Sequence, residues 1–325
     1  MRTTFIALTM MIAITAMAQD EIRMETYTYA VKGQDTLKLD VYTCPSARPS
    51  NKQLAYVYSF GGGWETGTRA DANMMQKFAR QGYVAISIDY RRMIERIKKE
   101  GVNVMDAEHF SGSFSKAIRT GVEDLYDATA WIVEHADMLN IDTTKIVISG
   151  GSAGATNSVM AEYYLCNGDE LALRLPKGFR YAGVIPFAGG IWKAGLSEPE
   201  WKTKPCPFCI IHGDKDQLVP YEKNVADALN FSAFGPAYYT RQLEKMKVPF
   251  MFLTGVNADH LLSAAPIIGD DVDYSEYVFS FIERMVLGKE KLAQRITESY
   301  YDDPYSFEFM IRKVMEQKVK EEQNK

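Results

Sequence analysis

The sequence predicts an α/β fold built on a mostly parallel, eight-stranded sheet with helices on both faces. Eight short segments rich in β-branched and aromatic residues are bounded by turn-forming residues, and helical stretches lie between most of them. Strands that alternate with helices form parallel sheets whose two faces are covered. Ligands of such sheets bind at the carboxyl ends of the strands, so the segments that follow each strand are the place to search for functional residues.

The predicted elements follow the chain in order. Residues 25–31 and 36–42 alternate in polarity and are joined by Lys32-Gly33-Gln34-Asp35, so we expect them to form a hairpin. The six other predicted strands are apolar runs over residues 54–60, 83–89, 145–148, 182–187, 208–212 and 250–254. Helices are predicted over residues 72–80, 121–136, 156–165, 221–229 and 238–247.

One folded domain accounts for this alternation, because no internal repeat or low-complexity tract interrupts it. We assign residues 1–18 to a signal peptide, 19–288 to the folded domain and 289–325 to a charged, largely helical tail. Residues 91–120, which include Gly101 and Gly112, form a loop of unusual length, which we interpret as an insertion near the functional site. Within the tail, residues 305–319 are expected to dock on the domain.

The N-terminus and the composition exclude two classes of partner. Arg2 precedes an apolar run from Phe5 to Met17, and Ala16-Met17-Ala18 supplies a small-residue cleavage site, as in a secretory signal peptide. That run is too short to span a bilayer, and no later segment is long and apolar enough, so we expect an exported, periplasmic or extracellular protein without a membrane span. The net charge is −5, and the basic residues are dispersed apart from a cluster at 91–99, so no nucleic-acid partner is expected.

Four cysteines could form disulfides after export: Cys44, Cys166, Cys206 and Cys209. An extended chain would hold Cys206 and Cys209 beyond disulfide reach, whereas a turn at Pro207 would bring them together, so both arrangements stay open. No second pair with zinc-type spacing accompanies them. Neither a metal nor a cofactor is expected.

Gly150-Gly151-Ser152-Ala153-Gly154 is the most informative stretch, because it follows a predicted strand and leads into a predicted helix. A serine on so sharp a turn has a strained backbone, and its neighbours must be small because a Cβ would collide with the adjoining strand or helix. The serine Oγ then stands clear of the backbone, where it can act as a nucleophile. A glycine-rich turn that holds a phosphate at the helix N-terminus is the alternative interpretation.

A nucleophilic serine needs a base to accept its proton and an acid to hold that base in the right tautomer. Four histidines are available, and only His212 and His260 follow Ser152. In the chain order nucleophile, acid, histidine, His212 leaves little room for an acid before it, so His260 is the predicted base. The acid is expected after the seventh strand, where Asp214 and Asp216 both lie, and geometry alone does not decide between them.

The glycines of Phe60-Gly61-Gly62-Gly63-Trp64 follow the third predicted strand. Consecutive glycines let backbone N–H groups converge, and fixed amides are well suited to stabilise a developing oxyanion. Gly62 and Gly63 are therefore predicted to donate together with the amide of Ala153. A flexible hinge is one alternative; a phosphate loop is another, but it would need a lysine and a Ser/Thr placed beside the glycines.

Together these segments resemble the serine esterases of the α/β-hydrolase fold, in the branch with an HGGG-type oxyanion loop. That branch includes hormone-sensitive-lipase-like carboxylesterases and acetylxylan or feruloyl esterase-like enzymes. The resemblance extends from Tyr56 to His260 and includes Asp89-Tyr90-Arg91, Asp124 to Trp131, and His212-Gly213 through Val219-Pro220.

The resemblance bears on three further positions. In that family two residues separate the acid from the Val-Pro pair, which implies Asp216 as the acid. This chain departs from the pattern at Phe60, where the family has a histidine that braces the glycine loop. The resemblance does not interpret residues 91–120 or the C-terminal tail.

The resemblance implies an exported serine carboxylic ester hydrolase that acts through an acyl-enzyme, with short acyl or aryl esters as substrates and carbohydrate esters as a candidate class. Trp64 and Trp192 are candidate substrate contacts, although ordinary core or rim packing is the favoured explanation for both. Two alternatives remain: a serine peptidase of the same fold, and a binding protein that keeps the fold without turnover.

Overall fold

The computed structural model describes residues 21–47, 51–69, 72–264 and 274–299. Within these ranges the strands, in chain order, are β1 (Arg23–Lys32), β2 (Asp35–Thr43), β3 (Gln53–Ser59), β4 (Val84–Ile88), β5 (Ile141–Gly151), β6 (Gly183–Phe187), β7 (Ile191–Ala194), β8 (Phe208–Gly213), β9 (Lys223–Ala226), β10 (Phe231–Phe234), β11 (Phe250–Val256) and β12 (Ala293–Ser299). The α-helices are α1 (Ala72–Arg80), α2 (Met93–Lys99), α3 (Ala107–Glu134), α4 (Ala136–Leu139), α5 (Ala153–Asn167), α6 (Pro236–Lys245) and α7 (Ser275–Phe281), which continues as a π-helix over Ile282–Leu287.

The main sheet has the strand order β1-β2-β4-β3-β5-β6-β8-β11-β12 in the described part of the chain. β2 is antiparallel to β1 and β4, and the pairs from β4 to β12 are parallel. Every residue of β3, β4, β6 and β8 is buried, which explains why these strands are apolar runs in the sequence. The predicted parallel α/β architecture is confirmed, and each of the eight predicted strands is present.

The structure corrects the expected strand count and the expected tail. Residues 293–299 form β12, a ninth strand that pairs in parallel with β11, where a largely helical tail was predicted. The sheet therefore extends beyond the domain boundary predicted at residue 288. The signal peptide at 1–18 and the helix expected over 305–319 lie outside the described residues.

Two further expectations were wrong in their secondary structure. The segment 91–120 contains α2 and the first half of α3, so it is helical where a long loop was expected. The helix predicted over 221–229 is instead β9 followed by a short 3-10 turn at Asp227–Leu229. β9 pairs with β10, and β10 with β7, in a second, antiparallel sheet of three strands.

This small sheet and the start of α3 pack together. Its strands come from segments that follow β6 and β8, so they begin at the carboxyl end of the main sheet. Phe110 and Phe114 of α3 contact Phe231 of β10, with ring centroids 5.5 and 6.5 Å away. Ser111 Oγ also donates a hydrogen bond to Asn230 O at 3.2 Å. We call α2, residues 107–119 and the small sheet the cap.

A buried ionic cluster anchors α3 to the first hairpin and to the segment after β4. Asp124 is fully buried, and the Arg91 guanidinium and the Lys32 ammonium lie 2.8 and 2.7 Å from its Oδ1. Lys32 Nζ also lies 2.8 Å from Glu123 and 2.6 Å from Asp127. This acidic triplet is therefore already neutralised by basic side chains.

Candidate active site

Ser152 lies on a strained turn between β5 and α5. Its φ of +52° and ψ of −115° belong to a region that residues with a side chain rarely adopt. A Cβ at Gly150 would lie 2.6 Å from Ser59 O, and one at Gly154 would collide with the same carbonyl oxygen. Ser152 N donates to Phe187 O at 2.9 Å, which ties the turn to the carboxyl end of β6. The two glycines are thus required by close packing of the turn against the end of β3.

His260 connects Ser152 to Asp216 through two short hydrogen bonds. Its Nε2 lies 2.7 Å from Ser152 Oγ, and its Nδ1 lies 2.7 Å from Asp216 Oδ2. The other oxygen, Asp216 Oδ1, accepts from the amides of Leu218 and Val219, both at 2.9 Å. These contacts come from segments that follow β5, β8 and β11, parallel strands of which the first two are separated by β6, so the three side chains meet at the carboxyl edge of the sheet.

The structure separates the two aspartates that the sequence left undecided on geometry. Asp214 Oδ1 accepts a hydrogen bond from the amide of Asn257 at 2.7 Å, so this carboxylate fastens the loop after β11. Asp216 is the residue that reaches His260. Its position is the one that the family resemblance implies.

Asp216 is held in its ionised form. Burial by itself raises the pKa of this carboxyl, but hydrogen bonds from His212 and His260 outweigh burial, and the pKa of Asp216 lies well below its ordinary range. The carboxylate is therefore charged at neutral pH. In that form it holds the proton on His260 Nδ1 and leaves Nε2 free to accept one from Ser152.

His212 has a place in this site that the sequence did not reveal. It is fully buried at the end of β8, with Nε2 3.0 Å from Val219 O and 3.3 Å from Asp216 Oδ2. A carbonyl accepts only, so the contact with Val219 places the hydrogen on Nε2. The same N–H also lies toward Asp216 Oδ2, so this oxygen is contacted by both His212 and His260. The sequence signal was the histidine that ends the strand just before the acid loop, which we considered only as a base.

The glycine loop lies against the nucleophile. A Cβ at Gly61 would stand 3.3 Å from Ser152 Cβ and 3.0 Å from Gly151 O. Gly62 and Gly63 have φ values of +104° and +63°, which glycine adopts readily. Among the hydrogen bonds of the described residues, none uses the amides of Gly62, Gly63 or Ala153. Ala153 is the first residue of α5, where an amide has no intrahelical acceptor, so all three are free to bind an oxyanion.

Phe60 and Tyr90 brace this loop without a histidine. Their rings stack with centroids 4.2 Å apart and an interplanar angle of 19°. The Tyr90 hydroxyl donates to Phe60 O at 3.0 Å, and both side chains are buried. On the other side of the turn, the amides of Glu65 and Thr66 donate to Gly62 O at 3.0 and 2.9 Å.

The structure treats the two candidate tryptophans differently. Trp64 is only 2% exposed, and its indole N–H donates to Asn157 Oδ1 at 2.8 Å, so it packs beneath the cap and offers no face to a substrate. Trp192 is partly exposed on β7, with its ring 5.9 Å from that of Trp64 and 6.0 Å from that of Phe114. Within the described hydrogen bonds its indole N–H has no partner.

The four cysteines all lie in the described residues and are free thiols. Cys209 is buried within β8, and Cys206 precedes that strand, so the structure does not join them. None of the helices in the described ranges combines the length and apolar character needed to cross a bilayer.

Comparison with solved structures identifies the fold as the α/β-hydrolase fold. The propionate-bound form of the esterase Est2 from the Planctomycetes species Thermogutta terrifontis superposes with a TM-score of 0.57 at 23% identity, covering 83% of this chain and 95% of that one. Its native form gives the same score and identity and is covered to 93%. The same esterase phosphonylated by cyclosarin superposes with a TM-score of 0.57 at 22% identity.

Two sequence comparisons agree with this fold. The model of the BD-FAE family matches residues 92–172, about a quarter of the chain, which includes Ser152. This match also covers most of the segment 91–120, which the family resemblance had left uninterpreted. Carboxylesterase NlhH of Mycobacterium tuberculosis is 28% identical over 145 residues, 44% of this chain. The aligned region spans 39% of that relative's length.

Proposed function

We propose that the protein is an exported serine carboxylic ester hydrolase that acts through an acyl-enzyme on short acyl or aryl esters. The observation that carries this proposal is the hydrogen-bonded chain from Ser152 Oγ through His260 to Asp216, with both contacts at 2.7 Å. A strained serine, a histidine tied to an ionised carboxylate and three unused amides are the parts that acyl transfer requires.

The first half of the reaction acylates Ser152. As the oxygen attacks the ester carbonyl, His260 Nε2 accepts the proton of Ser152 Oγ, and the Asp216 carboxylate stabilises the resulting imidazolium. The carbonyl oxygen becomes an oxyanion, to which the amides of Gly62, Gly63 and Ala153 donate. When the intermediate collapses, the bond to the alcohol oxygen breaks, and that oxygen takes the proton from His260. An alcohol leaves, and the acyl group stays on Ser152.

The second half of the reaction releases the acid. His260 accepts a proton from water as the water oxygen attacks the acyl carbon, and the same amides stabilise the second oxyanion. Collapse then breaks the bond to Ser152 Oγ, which recovers its proton from His260. The net reaction is ester plus water to alcohol plus carboxylic acid.

Short acyl groups are supported by the structural neighbour, whose solved forms include propionate-bound and butyrate-bound ones. Trp192, whose ring is partly exposed, is the proposed substrate contact. Carbohydrate esters remain a candidate class, consistent with the match to the BD-FAE family. The carbohydrate-ester part of the proposal is tested by comparing release of acetate or ferulate from polysaccharides with hydrolysis of simple esters. Turnover of simple esters alone would rule out carbohydrate esters.

The test of the activity is hydrolysis of p-nitrophenyl acetate and butyrate. Ser152→Ala should abolish turnover and labelling by a fluorophosphonate probe, whereas the exposed-serine variant Ser197→Ala should behave as wild type. Equal turnover in wild type and Ser152→Ala would exclude the mechanism. Folded wild-type protein that neither hydrolyses nor labels would favour the alternative of a non-catalytic binding protein.

Export is the remaining part of the proposal and is tested separately. It rests on the apolar run from Phe5 to Met17 and the Ala16-Met17-Ala18 cleavage site. N-terminal sequencing of the protein recovered from outside the cytoplasm should begin at Gln19. Recovery of the uncleaved chain from the cytoplasm alone would contradict it.

A further inference from the structure

A cavity of about 600 Å³ lies at the end of the main sheet opposite Ser152. Its lining includes Thr143 near the start of β5, Ala182 just before β6 and Pro207 just before β8. Parallel strands rise about 3.3 Å per residue, so the eight residues from Thr143 to Gly151 place this cavity roughly 25 Å from the nucleophile. It is therefore a separate site, and its volume is within the range of small-molecule pockets.

A buried carboxyl group lines this cavity and takes no part in the proposed reaction. Glu162 of α5 is 1% exposed. Its Oε1 accepts from the amide of Cys206 at 2.8 Å and from the thiol of Cys166 at 3.3 Å. Its Oε2 has no hydrogen-bond partner among the described residues. Buried polar atoms are nearly always paired, so an unpaired carboxyl oxygen at a cavity wall indicates a partner that binds from the cavity.

The unpaired oxygen of Glu162 limits what that partner can be. Burial raises the pKa of this carboxyl and outweighs the hydrogen bonds from Cys206 and Cys166, which act in the opposite direction. A ligand hydroxyl both donates and accepts, so it can pair with Glu162 Oε2 in either protonation state of the carboxyl. The complementary ligand group is therefore a hydroxyl.

The exposed part of the cavity lining is strongly basic. Lys177, Arg180, Lys204 and Lys289 are exposed and line the cavity, and Glu162 is the acidic residue of the lining. Apolar residues supply much of the remaining lining: Val133, Phe179, Ala182, Pro205, Pro207 and Met285. Four cationic side chains attract an anion and disfavour a metal cation, although two thiols lie beside Glu162.

We propose that this cavity binds a small organic carboxylate that carries an apolar body and a hydroxyl group at its far end. The carboxylate lies among the basic side chains, the apolar body packs against the apolar lining, and the hydroxyl forms a hydrogen bond with Glu162 Oε2. The proposal does not depend on the esterase activity, because none of these residues belongs to the Ser152 site.

The probe is 4-hydroxybenzoate, titrated calorimetrically into the full chain before and after Ser152 is blocked with a fluorophosphonate. We expect one site whose affinity is the same in both preparations, weaker binding of benzoate, and no binding of 4-hydroxybenzyl alcohol. Lys177→Gln combined with Lys289→Gln should weaken binding about five- to tenfold, as expected for two exposed charge contacts. The matched pair Lys38→Gln and Lys116→Gln removes two exposed lysines outside the cavity and should change nothing.

Glu162→Met tests the contact at the cavity wall, since it should remove the preference for 4-hydroxybenzoate over benzoate. If that variant does not fold, the lysine pairs still decide the question. No binding to wild type, equal weakening by both lysine pairs, or binding that disappears when Ser152 is blocked would each overturn the proposal. If the fluorophosphonate fails to label Ser152, the proposed function fails. Titration of 4-hydroxybenzoate into the unlabelled wild type and the two lysine-pair variants still tests the cavity.

Discussion

The Tyr90 hydroxyl donates to the carbonyl of Phe60 at 3.0 Å while the two rings stack 4.2 Å apart. This pair stabilises the start of the glycine loop. Tyr90 immediately precedes Arg91, which forms an ion pair with buried Asp124. A hydrogen bond and a stacking contact thus stand where the family that the sequence resembles has a histidine. The loop beside Ser152 is braced through the ionic cluster as well as through local turns.

Tyr90→Phe should lower kcat for p-nitrophenyl acetate about tenfold with little change in KM. The stack is kept and one hydrogen bond is lost, so the amides of Gly62 and Gly63 are less firmly positioned for the transition state. Steady-state kinetics measures the effect. Tyr29→Phe is the control, because Tyr29 Oη donates to Asp89 O on the far side of the same segment. Equal kinetic losses in both variants would contradict a specific role for Tyr90.

His212→Leu should reduce kcat about 10- to 100-fold, since it removes a hydrogen bond to a charged carboxylate and frees the loop at Val219. His212→Gln keeps a donor at a similar reach and should recover part of the activity. Because His212 lowers the pKa of Asp216, the leucine variant should also lose activity at a higher pH than wild type on the acidic side. Identical pH profiles for wild type and both variants would exclude the positioning role.

Asp216→Asn should remove a pH-dependent part of the stability. The pKa of Asp216 is lower in the folded protein than its ordinary value of about 3.9. Its contribution is therefore fully present above pH about 5 and is lost as the pH falls through and below 4. The difference in free energy of unfolding between wild type and Asp216→Asn, from urea titrations between pH 6 and 3, should shrink with acidification. A constant difference would contradict this linkage.

Asp124→Ala should cost about 3–5 kcal/mol in free energy of unfolding, because it leaves Arg91 and Lys32 partly buried without their shared carboxylate. Urea denaturation measures it. The matched control is Asp137→Ala, which removes an exposed ion pair with Lys52 and should leave the unfolding midpoint unchanged. Similar losses of free energy of unfolding in both variants would show that the buried ionic cluster contributes no more to stability than an exposed ion pair.

Gly154→Ala and Gly112→Ala should act in opposite directions. A Cβ at Gly154 collides with the backbone of Ser59, so the first variant should lose stability and esterase activity together. Gly112 lies within α3 with no atom within 4 Å of an added Cβ, so the second should gain roughly 0.5–1 kcal/mol from helix propensity. Thermal melts and activity assays compare the two. A tolerated alanine at 154 would contradict the packing argument for the turn.

The sequence was sufficient where a pattern is local. Buried strands such as β3 and β4 are unbroken apolar runs, and Ser152, Asp216 and His260 each follow a strand whose end could be located. Prediction from the sequence failed where pairing with a strand elsewhere in the chain decides the conformation of a segment. Residues 223–226 are drawn into a strand by β10, which local helix propensity does not register.

The same reason explains what was missed near the site. Gly101 and Gly112 made residues 91–120 resemble a loop, yet Phe110 and Phe114 stabilise a helix there by packing against β10. The contact of Tyr90 with Phe60 joins segments 30 residues apart, whereas that of His212 with Asp216 depends on how the short acid loop folds back on the end of β8. Neither contact has a signature in residue spacing alone.

The length of α3 has a mechanical consequence for how substrates enter. At about 1.5 Å per residue, the 28 residues of α3 extend over roughly 42 Å. Phe110 and Phe114, the aromatic wall of the cap, lie near its N-terminal end, and Asp124 further along forms an ion pair with Lys32 of the first hairpin. Displacing these two phenylalanines would require α3 to bend or the ion pair between Asp124 and Lys32 to break. We therefore expect the aromatic wall to keep its position when an ester binds.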